Sequence, residues 1–138
     1  MADLIYTKFK TNLGNGTFDM DADTFKCALL TDAYTPDATD EVFADLSGEV
    51  AGTGYTAGGK GLSNATWTTS GTTAVLDASD PSWTEATITA RYAVIYKLGT
   101  ANGKANPLVC LLDFGADKGV TSGTFAVNFN ASGILVLS

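Results

Sequence analysis

The sequence has no histidine, two cysteines, three prolines and few charged residues for its length. Each shortage removes a class of chemistry. Without histidine, serine–histidine and cysteine–histidine nucleophiles cannot be assembled from this chain. The commonest metal ligand and the usual general base near neutral pH go with it. Cys27 and Cys110 stand alone rather than in a C-x-x-C pair, which argues against zinc. Both lie in apolar runs and read as small hydrophobes, with a disulfide between them as the minor alternative. The opening stretch MADLIYTKFK lacks the apolar segment of a secretory signal. No apolar run approaches the ~20 residues of a membrane span. The expectation is a protein made and folded in a reducing cytosol.

Charge of one sign is also scarce. Eight Lys and Arg stand against fifteen Asp and Glu, a formal net charge of −7. Such a chain repels phosphate backbones and anionic lipid surfaces, so neither nucleic acid nor membrane is an expected partner.

What remains is apolar residues set among Thr, Ser, Asn and Gly, a mixture suited to strands and turns. Thr24–Thr31, Leu62–Thr69, Thr73–Ala78, Ala86–Lys97, Leu108–Phe114, Thr124–Asn130 and Ile134–Ser138 read as strands by alternation or apolar runs. GADKGVTSG, between Leu108–Phe114 and Thr124–Asn130, reads as a loop, as does LGTANGKANP. Ile5, Phe9 and Leu13 fall at helical spacing, so a short N-terminal helix is predicted, with Asp3 as its cap and Gly14 as its stop; an N-terminal arm strand is the alternative. Thr39–Gly48, with an acidic first turn and a terminal glycine, predicts a second helix of about two turns. Connections between strands are too short for helical crossovers, so neighbours should be antiparallel. The predicted fold is all-β: one antiparallel β-sandwich domain over residues 1–138, jelly-roll-like, with one or two short helices. Phe25, Trp67, Ile95, Leu112, Phe125 and Ile134 are expected in its core.

One stretch invites a different reading. GTGYTAGGKG (Gly52–Gly61) contains G-x-G-x-x-A and a phosphate loop cut one residue short. A dinucleotide fingerprint needs a strand before it and a helix after it. Here a predicted helix precedes and a threonine-rich strand follows. The truncated phosphate loop ends in Gly61, where a magnesium-binding Ser or Thr belongs. The glycines fit a long surface loop instead, with Tyr55 as a candidate contact residue.

Other constellations are weaker. Asp19, Asp21 and Asp23 resemble the start of a calcium loop, but Thr24 and Leu30 occupy the places of its glycine and glutamate. Asp77, Asp80 and Glu85 near one turn, and Asp113 and Asp117 near another, are carboxylates that any acidic chain carries. Trp67 and Trp83 could stack on sugar rings, though tryptophans of small β-sandwiches more often pack on the core. No catalytic, metal-binding or cofactor-binding residue is singled out, and no cofactor is expected.

The blocks TFKCALLTDAYTPD, VAGTGYTAGGKGL, ARYAVIYK, LLDFGADKGVTSGTF and GILVLS, in that order, resemble a family of small proteins of tailed bacteriophages and prophages. The resemblance implies a non-enzymatic virion structural protein, first of all a capsid decoration (cement) protein. A neck, tail or fibre component, or a carbohydrate-binding adhesion module, is the alternative. It implies assembly in the host bacterial cytoplasm and a place on the capsid exterior. The implied partners are the major capsid protein and copies of the chain itself, a trimer before a dimer because closed threefold symmetry matches sites on a shell. The expected contacts are Ile5, Tyr6 and Phe9 of the N-terminal segment and Tyr55 of the glycine loop.

Overall fold

The computed structural model describes residues 2–138. Its elements are β1 (Leu4–Ile5), α1 (Thr7–Gly14), β2 (Phe25–Leu30), a 3-10 turn (Phe43–Asp45), β3 (Lys60–Gly61), β4 (Thr66–Ser70), β5 (Thr73–Asp77), β6 (Ser82–Lys97), β7 (Thr100–Ala101), β8 (Lys104–Ala105), β9 (Leu108–Ala126) and β10 (Leu135–Leu137). The fold is all-β and antiparallel, with one helix. One sheet runs β1-β9-β6-β2-β3 and a second β10-β5-β4, while β7 and β8 form a small hairpin of their own.

β6 and β9 dominate. They are the two arms of one long hairpin, paired from Ser82↔Ala126 to Tyr96↔Leu108. Beyond that pairing the arms continue into β7 and β8, joined at Asn102-Gly103. Both residues have positive φ, as the two-residue turns that match strand twist require. In the half nearest this turn β6 is a central strand, and Ala93, Val94 and Ile95 are wholly buried. In the far half only one face is covered, so Trp83, Ala86, Ile88 and Ala90 point in and Thr84, Thr87 and Thr89 point out.

Two expectations change in this region. β6 begins at Ser82, ahead of the predicted strand Ala86–Lys97, and the predicted loop GADKGVTSG is the continuation of β9. The glycines there mark irregular pairing rather than a break. Register shifts interrupt the ladder between Trp83 and Ala86, Ala86 and Ile88, and Ala90 and Tyr92. Glu85 and Ser122 at these shifts adopt positive φ, consistent with bulges that twist a ribbon without ending it.

The helix predictions are corrected in detail. α1 begins at Thr7, because Leu4 and Ile5 are held as a strand against Leu111 and Cys110. Asp3 does not cap it; the Asp3 carboxylate accepts the Asp113 N–H at 2.7 Å. Nor does Gly14 stop it. Gly16, at φ +80°, does so: its N–H donates to the Leu13 carbonyl and the Thr17 N–H to that of Asn12, a Schellman ending. The second helix reduces to the single turn Phe43–Asp45. The Asp45 carboxylate takes the N–H groups of Glu41 and Val42, and Val42 bridges to Pro107, which holds the segment extended on either side.

A single hydrophobic cluster joins both sheets and α1. It contains Phe25, Ile95, Leu112, Phe125 and Ile134 as expected, whereas Trp67 is only half-buried at its edge. Cys27 and Cys110 are free and buried. They lie in one row across the sheet, Cys27↔Ile95↔Cys110, with β6 between them. Two strand spacings amount to ~9.5 Å, beyond disulfide reach. Burial also pushes the Cys27 thiol up to about 12, so it carries no thiolate at neutral pH.

Candidate functional site

Of the expected contact residues, Tyr6 and Phe9 have no exposed surface at all. Phe9 is fixed by Phe18 edge-on, with ring centroids 5.0 Å apart. The Tyr6 hydroxyl lies 3.1 Å from that of Tyr34, which in turn donates to Asp40 at 2.8 Å. These residues anchor α1 to the core; they do not face a partner. Helical spacing identified the apolar face of the segment but not that Tyr6 and Phe9 are wholly internal. Ile5 is half-buried in β1 against the core.

Tyr55 also works inward. Its hydroxyl accepts the N–H of Leu29 at 3.0 Å and donates to the Glu49 carboxylate at 2.6 Å. The same carboxylate oxygen takes the N–H of Gly58 at 2.7 Å, and Tyr96 donates to the Gly58 carbonyl. β3 pairs with β2 only at Lys26 and Cys27, so the phenol occupies the next stretch of that sheet edge. The glycines of GTGYTAGGKG follow from this placement. Gly59 has φ +81°, and a Cβ there would stand 2.6 Å from the Ala28 Cα. Gly54 has φ +87°, and its Cβ would meet the Ala86 Cα at 2.8 Å. The stretch is a strap laid flat on β2 and β6. Lys60 bonds the Ser82 carbonyl and sits 5.5 Å over the Trp83 ring.

Burial raises the phenols of Tyr6 and Tyr55 far above their ordinary value and pushes that of Tyr96 up to about 12. Unfolded tyrosine ionises near pH ~10. The folded state therefore holds these protons more tightly, and their contribution is complete below that pH and lost as pH rises above it toward the folded values. Urea midpoints should be level to about pH 9 and fall above about pH 10, and Tyr55→Phe should flatten the fall. A level profile through this range in the unsubstituted protein would contradict the buried-phenol assignment.

Several of the remaining sequence candidates are engaged with the fold as well. Asp23 bonds the Asp19 N–H at 2.7 Å and pairs with Lys97 at 3.0 Å, and Lys97 also donates to the Thr17 carbonyl. The three aspartates thus form a turn fastened to the end of β6. Asp80 accepts from the Phe129 N–H, and Asp113 pairs with Arg91 at 2.8 Å, which holds its carboxyl below the usual carboxylate range. Trp83 is buried between Tyr55 and Phe125. Among the described residues, no group of three His, Cys, Asp or Glu is placed to hold a metal ion.

The distribution of charge is uneven in a way that single motifs did not reveal. Residues 61–76 and 119–138 carry no charged side chain. The fold brings the two tracts together, since β4 and most of β5 come from the first and β10 from the second. The outer face of this sheet has a shallow cavity of about 450 Å³ lined by Thr66, Thr68, Ser70, Thr73, Asp77 and Ser132, among others. No family model, curated protein or solved structure matches the chain.

Proposed function

We propose that this protein is a non-enzymatic structural component of a tailed-bacteriophage virion, a capsid decoration protein on the outside of the head. Its partners in this reading are the major capsid protein and further copies of itself, and it assembles in the host bacterial cytoplasm. The likeness of five ordered sequence blocks to phage proteins supports the reading. One structural observation carries it further: the glycine strap and the aspartate turn are tied to the sheet beside them. Tyr55 and Glu49 hold the strap against β2, and Lys97 holds Thr17 and Asp23 at the end of β6. That chemistry makes a rigid body with fixed surfaces, which is what a clamp between shell subunits requires.

The test is to prepare heads without the protein and add it back purified. Saturable binding and a raised temperature of head disruption are expected. Heads that neither bind it nor gain heat resistance would overturn the proposal.

A carbohydrate-binding module is the second reading, and one observation favours it. The cavity on the outer sheet presents several hydroxyls and the Asp77 carboxylate together. The buried Trp83 offers no stacking platform, so this reading depends on the hydroxyls and the Asp77 carboxylate of the cavity. Binding to a glycan array that Asp77→Ala abolishes would favour it over decoration.

A further inference from the structure

We propose that β4 is an interface strand that pairs antiparallel with β4 of a second copy about a twofold axis at Thr68. The two three-stranded sheets then become one continuous sheet. This inference rests on the self-association part of the reading above and replaces its expected contact residues.

The free edge is defined by the hairpin that β4 makes with β5. Ser70↔Thr73 closes a two-residue turn whose first residue, Gly71, has φ +61°. The closing pair of such a turn exchanges both of its hydrogen bonds, and the pattern alternates along the ladder. The backbone groups of Thr66, Thr68 and Ser70 therefore face β5. Those of Trp67 and Thr69 face outward, where the sheet order β10-β5-β4 supplies no neighbour.

A twofold at Thr68 sets Trp67 opposite the second copy's Thr69. Every outward N–H and C=O of the strand then has a partner. Thr68 meets its own copy, and Thr66 meets Ser70. Threonine and serine pairs suit such cross-strand positions. The half-buried Trp67 gains cover from the same contact.

The other edges are managed within the fold. Beyond β3, the edge of β2 receives the Tyr55 hydroxyl at Leu29 and a bridge from Glu49 at Leu30. β9 is covered by β1 at Cys110 and Leu111, and its outer part is irregular opposite Ala86–Ile88 and Ala90–Tyr92. β10 is three residues long. Among the described residues, β4 alone is a regular five-residue edge strand, Thr-Trp-Thr-Thr-Ser, without charge, proline or bulge. Soluble proteins ordinarily guard such a strand.

Charge selects the occupant. Any two copies repel through a net −7 each, and least where their charge-free tracts meet. β4 lies inside the tract 61–76. The pairing is isologous and closes as a dimer, in place of the threefold arrangement that shell symmetry suggests.

Sedimentation equilibrium of the full chain over a wide concentration range should show a monomer–dimer equilibrium. Thr68→Lys, which sets like charges face to face at the axis, should weaken the dimer about tenfold or more. Thr69→Pro, which removes an outward N–H, should act in the same direction. Thr121→Lys, on the exposed part of β9, should leave the dimer intact. Circular dichroism melts should show all three variants folded, and the amides of Trp67 and Thr69 should gain exchange protection as the dimer forms. A wild-type protein that is monomeric throughout, a trimer, or a dimer indifferent to Thr68→Lys would overturn the pairing. Failure of the wild-type to bind heads is a separate result, which would overturn decoration and leave the β4 dimer standing.

Discussion

Gly59→Ala should destabilise the fold by more than about 4 kcal/mol, among the largest effects available to a single methyl group. Two costs coincide. The residue sits at φ +81°, where any side chain is strained by ~1–2 kcal/mol. The new Cβ would also press on the backbone of Cys27 and Ala28 in β2, which cannot move without disturbing the β2–β6 ladder. If the strap lifts instead, Leu29 loses the Tyr55 hydroxyl from its N–H, and Glu49 loses both of its donors. Gly61→Ala is the internal control. That glycine has ordinary φ, and a Cβ there meets nothing within 4 Å, so its effect should stay within about 0.5 kcal/mol. Urea titration of the two variants checks the pair. Equal midpoints would show that the strap does not lie flat on β2.

The Tyr6→Ser, Phe9→Ser double substitution should leave no folded protein. Phe9 is fully buried against Phe18, and removing a buried phenylalanine side chain costs about 3–5 kcal/mol. Tyr6 adds a second buried ring and the hydroxyl partner of Tyr34. Together these approach or exceed a typical domain stability of about 5–15 kcal/mol. The milder Tyr6→Phe should fold and be weakened by about 1 kcal/mol, the worth of one hydrogen bond. Circular dichroism and amide spectra are sufficient. A folded double variant would return this segment to the surface and restore it as a docking arm.

That second case shows where the sequence is legible and where it is not. Alternating apolar residues located β2, β5 and the buried halves of β6 and β9, because their burial follows local periodicity. The spacing of Ile5, Phe9 and Leu13 located α1. It could not show that β9 would receive Leu4 and Ile5 as a strand, since their partners lie more than a hundred residues away. The start of β6, Ser82–Glu85, and the Gly115–Gly123 stretch of β9 were hidden because apolar residues are sparse there and bulges at Glu85 and Ser122 break the period of two. The glycine strap is the clearest case. Its residues match nucleotide motifs because both settings require a backbone free to approach something closely. Here the neighbour is the protein's own sheet, which no local pattern reveals. The charge-free tracts were present in the sequence from the start, but they gain meaning only when β10 and β4 flank β5.

Decoration of the phage head is the central claim, and a cryo-EM map of the intact particle tests it most directly. The account predicts density for this fold on the outer surface of the head, seated on the major capsid protein, with the β4 edges of neighbouring copies in contact across twofold positions. Density for the chain confined to the tail or its tip, with a bare head surface, would contradict it.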